Sequence, residues 1–202
     1  MTATGTLAAE DQVVLNTEVA GRLDQLPVDL GSVVRQGDVV AVLDLTDFNL
    51  RAEQAETALA QARARLGVPS DGSGDAIQPE KTSLVRQARA VLDQARRQRE
   101  RMTTLHHEGL LAKAELDQID ADYRVAEARL QEAFEEVRNR QAIVAERRAD
   151  LALAQQQLAD ATLRAPFDGA VRERHLSIGA YLGVGQPVVT IVRIHPLRLR
   201  LA

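Results

Sequence analysis

Cysteine and tryptophan are absent from the 202 residues, and aromatic side chains make up only 2 %. Without cysteine the chain can form no disulfide, thiol nucleophile, cysteine metal site or lipidated N-terminal cysteine. With so few aromatics, neither a large packed core nor an aromatic-lined pocket is expected, so enzyme activity and a bound cofactor are not expected either. Charge of one sign is also lacking. The 25 Lys and Arg face 29 Asp and Glu for a net charge of −4, and nucleic acid, which needs a concentrated positive surface, is not an expected partner. No apolar run is long enough to cross a membrane, and the first residues lack the charged-then-apolar order of a signal peptide. The chain therefore reads as cytosolic or as shorn of its targeting residues.

What is present is a heptad pattern. Leu116, Ile119, Tyr123, Ala126, Leu130, Ala133 and Val137 begin a run to Ala161 whose spacings alternate between three and four, with Arg140 and Arg147 its only positions that are not apolar. A helix over 116–161 extends about 70 Å, too long for burial in a domain of this size. Two upstream segments, 48–66 and 84–105, carry the same rhythm and supply a partner for the stripe. Between them Gly67, Pro69, Gly72 and Gly74 break the helical pattern over 67–79. The two ascending segments hold roughly 20 and 27 residues against about 50 descending, so they fit end to end along one partner. The tip is then 106–112, where Gly109 permits the reversal. Arg86, Arg89, Arg96, Arg97, Arg99 and Arg101 load the ascending arm near the tip, and Asp117, Asp120, Asp122, Glu127, Glu132, Glu135 and Glu136 load the facing arm, which favours antiparallel pairing. At the start of the first helix, Thr46 or Asp47 is placed to accept from free first-turn amides.

The flanks are short β segments that repeat each other at a constant offset of 148 residues. Gly21 matches Gly169, Leu23 Val171, Leu30-Gly31 Ile178-Gly179, Val34 Leu182, Gly37 Gly185, Val40 Val188 and Leu43 Ile191. One glycine pair could be chance; three pairs and five apolar positions in one register indicate two equivalent half-units. Neither half carries enough apolar surface to be stable alone, so the two are expected to close on each other as a sandwich. The fold class is α+β: a small β-sandwich from two distant halves, 7–45 with 163–194, interrupted by an antiparallel coiled-coil hairpin over 46–162. The alternation of Leu197-Arg198-Leu199-Arg200-Leu201 reads as a strand, in a segment 195–202 whose partners are expected in a further domain or in residues missing from a shortened chain.

Two glycine-spaced halves, the second entered through Leu163-Arg164-Ala165-Pro166-Phe167-Asp168-Gly169, resemble the periplasmic adaptor subunits of tripartite efflux pumps, the membrane fusion proteins of hemolysin D type. Val19-Ala20-Gly21-Arg22-Leu23 with Gly31-Ser32-Val33-Val34-Arg35-Gln36-Gly37-Asp38 is similar to that family's lipoyl/biotinyl-like half-motif. The resemblance implies a non-catalytic adaptor, in the periplasm at the inner membrane, between an inner-membrane transporter (resistance-nodulation-division type favoured) and an outer-membrane channel, exporting small molecules. It implies self-association into a ring, a hexamer in the full pump, and places 195–202 at the start of a β-barrel domain. In the family the hairpin tip docks through an arginine, a leucine four residues on and a serine seven beyond. Arg101 and Leu105 fit, and the third position is Ala112; with Gly109 and Leu110 these form the candidate partner-binding tip. Gly21, Gly31, Gly37, Gly169, Gly179 and Gly185 are the candidate structural turns.

Two other functions fit parts of the sequence. A cytosolic coiled-coil scaffold or ATPase arm accounts for the heptads but not for the matched halves. A lipoyl or biotinyl carrier needs a lysine at the turn joining the halves, whereas Lys81 and Lys113 lie beside the break and the tip. His106, His107 and Glu108 read as surface residues: adjacent histidines on a helix diverge by about 100° and seldom share an ion.

Overall fold

The computed structural model describes residues 5–9, 11–68, 78–194 and 197–201. The interior of the 67–79 break, residues 69–77, lies outside the described residues, as do 195, 196 and 202 of the C-terminal segment. The chain divides into two compact units, residues 1–55 with 151–202, and residues 56–150.

In the first unit the strands are β1 (Gly5–Ala9), β2 (Gln12–Asn16), β3 (Gly21–Gln25), β4 (Val33–Val34) and β5 (Val39–Leu43) from the first half. From the second half come β6 (Thr162–Arg164), β7 (Gly169–Arg174), β8 (Tyr181–Leu182), β9 (Pro187–Val192) and β10 (Leu197–Leu201). They form two four-stranded sheets, ordered β2-β9-β7-β4 and β6-β5-β3-β8, with all pairs antiparallel. Each sheet has two inner strands from one half flanked by two outer strands from the other. The repeat is visible in single hydrogen bonds. Gly31 N–H donates to the Val171 carbonyl and Gly179 N–H to the Leu23 carbonyl, both at 2.8 Å; Gly37 N–H donates to Ala165 and Gly185 N–H to Thr17, again both at 2.8 Å. All four glycines have φ between 81° and 90°, a conformation costly for a side chain with Cβ.

The matched apolar positions meet in one core. Leu23 and Val171, Val34 and Leu182, Val40 and Val188, and Leu43 and Ile191 are all buried there, joined by Phe48, Ala161, Leu163 and Ala165. Burial of each Leu, Ile or Val contributes about 1.5–3 kcal/mol. Leu30 and Ile178 depart from the matched set, standing 63 % and 61 % exposed. Each precedes a left-handed glycine whose N–H crosses to the other half, so the backbone is held inward at the turn while the side chain faces water. Thr190, the buried polar residue of β9, hydrogen-bonds His175 Nε2 at 2.9 Å.

The C-terminal alternation is indeed a strand, but its partner lies in this chain: β10 pairs antiparallel with β1, Leu199 opposite Leu7. The segment around Leu7, short and rich in small residues, carries too weak a strand pattern to announce that pairing.

In the second unit the helices are α1 (Thr46–Leu66), α2 (Ser83–His107) and α3 (Lys113–Asp160), α1 and α3 having residues in both units. The acceptor at the start of α1 is Asp44, whose carboxylate takes the Thr46 N–H at 3.0 Å; Thr46 and Asp47 already lie inside the helix, so the accepting side chain stands two residues before Thr46 and not at either of the two positions expected from the sequence. Gly67, at φ 79°, ends α1: its N–H donates to Ala64 and that of Val68 to Arg63, each at 3.0 Å, with Val68 buried behind the cap. A short 3₁₀ turn, Pro79–Lys81, leads into Thr82, whose side chain accepts from the Val85 N–H at the start of α2.

The buried residues of α3 are Ala126, Ala133, Val137 and Val144, all on the heptad stripe. Arg140, on the same stripe, donates from Nη1 to the carbonyl of Arg65 at 2.9 Å and from Nε to Glu136 at 2.6 Å. A cation on a last-turn carbonyl suits the negative end of a helix. The seam thus turns charged where its partner α1 stops, and Leu84 at the start of α2 shares a groove with Ala133 and Glu136 of α3. The ascending helices therefore lie end to end along α3.

Candidate functional site

The reversal between α2 and α3 is built from one glycine and one imidazole. Gly109, at φ 77°, donates to the His106 carbonyl at 3.0 Å, and Leu110 N–H reaches back to Leu105 at 2.9 Å, the same cap that closes α1. His106 Nδ1 then donates across the loop to the Leu111 carbonyl at 2.8 Å. Ala112 stands just before α3 and its carbonyl takes the Leu116 N–H at 3.3 Å, so it is an N-cap with no side-chain acceptor.

Of the sequence-derived tip residues, Arg101 and Ala112 are exposed, Leu105 is half-buried on the seam, and Leu110 stands 71 % exposed beside Gly109. The geometry gathers them within the last two turns of α2 and the first residues beyond. His107 is exposed next to His106. Among the described residues no three His, Asp or Glu side chains are grouped to hold a metal ion, and no helix is long and apolar enough to cross a membrane. Lys81 ends the 3₁₀ turn and Lys113 begins α3.

A clamp behind the tip was not singled out from the sequence. Arg99 Nε bonds Asp120 Oδ1 at 2.6 Å, and its guanidinium lies 4.9 Å from the centre of the Tyr123 ring. The two ionic partners sit at mirror positions about Gly109 and Leu110; antiparallel counting outward from the tip glycine would have found them. Arg96 instead pairs with Glu100 on its own helix.

The turns of the β-unit fall into two kinds. Gly31, Gly37, Gly179 and Gly185 serve their backbone conformation, as their φ values show. Gly21 and Gly169 serve close approach. A Cβ at 169 would run into the Val192 carbonyl oxygen, whereas one at 21 would meet only the Leu43 side chain at 3.3 Å and the Phe48 ring at 3.7 Å. Near these turns, Asp29 is held below the ordinary carboxylate value of 3.8 by the Leu30 N–H and by Arg174, 3.0 Å away. Asp44 is held below it by the Thr46 hydroxyl and N–H.

Comparison with known proteins matches residues 11–192 to the family described as CzcB-like, barrel-sandwich hybrid domain. The chain is 32 % identical over 198 residues to multidrug resistance protein MdtN of Escherichia coli O6:H1, an alignment covering 92 % of this chain and 57 % of that protein. It is 26 % identical over 199 residues to multidrug resistance protein MdtA of Yersinia pestis, covering 98 % of this chain and 36 % of MdtA. The chain thus spans about half the length of the MdtN relative and less of MdtA. The crystal structure of MacA from Actinobacillus actinomycetemcomitans superposes with a TM-score of 0.57 at 20 % identity, covering 98 % of this chain and 54 % of MacA, a likeness of fold.

Proposed function

The chain belongs to the CzcB-like barrel-sandwich hybrid domain family, and from that premise we propose that it forms the β-sandwich and hairpin of a periplasmic adaptor in a multidrug efflux system. In this reading the β domain is 7–45 with 163–194, and the hairpin is 46–162. The adaptor is non-catalytic. It stands at the inner membrane, joins a transporter there to an outer-membrane channel, and self-associates into a ring. The tip residues Arg101, Leu105, Gly109, Leu110 and Ala112 contact the channel. The observation that carries the reading is the exchange of outer strands between two halves 148 residues apart. A body knitted from both halves leaves the residues between them free to serve as a reaching element, an architecture with no use in a carrier domain. The multidrug resistance names of the MdtN and MdtA relatives support the same conclusion.

Leu110 gives the cleaner test of the tip, because Leu105 packs on the seam and its loss would disturb the hairpin itself. Leu110→Asp in the complete adaptor should abolish drug resistance in a complementation assay with an unchanged circular dichroism spectrum. Wild-type resistance from that variant would refute a docking tip.

A further inference from the structure

The seam thins toward the tip. No residue between Val85 and Ala126 is buried, and Met102, Leu105, Leu116, Ile119 and Tyr123 are each half-buried. The Thr103 and Thr104 hydroxyls donate back to the Arg99 and Glu100 carbonyls at 2.8 and 3.1 Å, bonds that bend a helix rather than stiffen it. Apolar packing alone therefore leaves the last turns of α2 free to roll on α3.

Arg99 supplies what the packing lacks. Its bond to Asp120 is the one ion pair joining α2 to α3 among the described residues, and its guanidinium lies 4.9 Å from the centre of the Tyr123 ring. An ion pair fixes a distance, whereas a planar guanidinium that is also stacked on a ring fixes rotation about the helix axis. Asp120 and Tyr123 are three residues apart and share one face of α3, so carboxylate and ring grip the same group. The grip sits about 15 Å behind the reversal. Arg101, two residues beyond Arg99, points about 200° away from it around the helix, so holding Arg99 against α3 turns Arg101 outward, where it is exposed.

We propose that Arg99 is a positioning residue of the tip: gripped by Asp120 and Tyr123, it sets the roll of α2 on α3 so that Arg101 and Leu110 face the channel together. This role rests on the docking tip proposed above and names what orients it. Exposed pairs add little to global stability, so the effect of the clamp falls on orientation. Without it the fraction of tips in the docking orientation drops, and the apparent affinity for the channel drops by the same factor, about fivefold.

Because the chain has no cysteine, two introduced ones can carry spin labels without background. Thr104→Cys and Asp117→Cys place labels at exposed sites on the two arms of the 202-residue chain. Adding Arg99→Ala or Asp120→Ala should broaden the distribution of label distances with an unchanged circular dichroism spectrum. Exchanging the pair, Arg99→Asp with Asp120→Arg, should narrow it again, since the cation then stands three residues from Tyr123 on the same helix face. In the complete adaptor each single variant should lower drug resistance about fivefold in the complementation assay, and the exchange should recover it. A distribution that stays narrow in both single variants would overturn the inference and leave the docking tip standing. Full resistance from a broadened tip, where Leu110→Asp still abolishes resistance, would overturn it as well. Wild-type resistance from Leu110→Asp would remove the docking tip and this role with it.

Discussion

Gly21 and Gly169 are equivalent in the repeat, yet they should not tolerate the same substitution. In Gly169→Ala the added Cβ meets the Val192 carbonyl oxygen and comes within 3.0 Å of Ile191 Cγ2. A carbonyl has no rotamer to change. Val192 is opposite Ala170 in the β7 and β9 ladder, and Gly169 itself pairs with Val34 of β4, so relief requires three strands to shift. Overpacking of this kind costs about 1–3 kcal/mol. At about 4–8 °C per kcal/mol for a small domain, the midpoint should fall by several degrees or more. In Gly21→Ala the contact is with the Leu43 side chain, which can turn aside, and the lower entropy of the unfolded chain returns about 0.4–1 kcal/mol. That variant should be near neutral. Scanning calorimetry measures the midpoints, and hydrogen exchange in peptides covering 169–192 separates the β-unit from the helices. Equal stability of the two variants, or a Gly169→Ala protein as stable as wild type, would refute the reasoning.

Ala112→Ser should supply the acceptor that the N-cap of α3 lacks, stabilising the hairpin by about 0.5–2 kcal/mol in urea unfolding; no gain would mean the first turn of α3 is already satisfied. The pH dependence of stability has a definite sign at Asp29 and Asp44. Both carboxyls are held below 3.8 in the folded chain, so their contribution is present above that value and is lost as pH falls through the depressed values. Asp29→Asn with Asp44→Asn should therefore lower stability at neutral pH and flatten its decline below about pH 4. Unfolding titrations of wild type and variant check both effects, and parallel acid declines would count against them.

The tip and the clamp show where a linear reading stops. Gly109 was legible because a glycine between two heptad arms has few other uses, and the structure gives it the left-handed conformation that use requires. The bond from His106 to Leu111 was not, since a ring nitrogen finds a carbonyl five residues on only once the loop has closed. Arg140 was legible as an interruption of the stripe, but its partner, the Arg65 carbonyl, is an unpaired group created by the end of α1.

By itself the amino-acid order determined the repeat, the heptads, the break and the positions of the turns, because each is a spacing along the chain and spacing is what local backbone geometry reads. The tertiary structure alone decided that the two halves exchange their outer strands, that Leu30 and Ile178 face water while their repeat neighbours are buried, and that β1 and β10 close the two ends of the chain as one pair. It also decided that Gly169 is pressed against a carbonyl while its counterpart Gly21 is not. Hydrogen-bond partners and close approaches are set by which strands come together, and two identical local patterns can meet different neighbours.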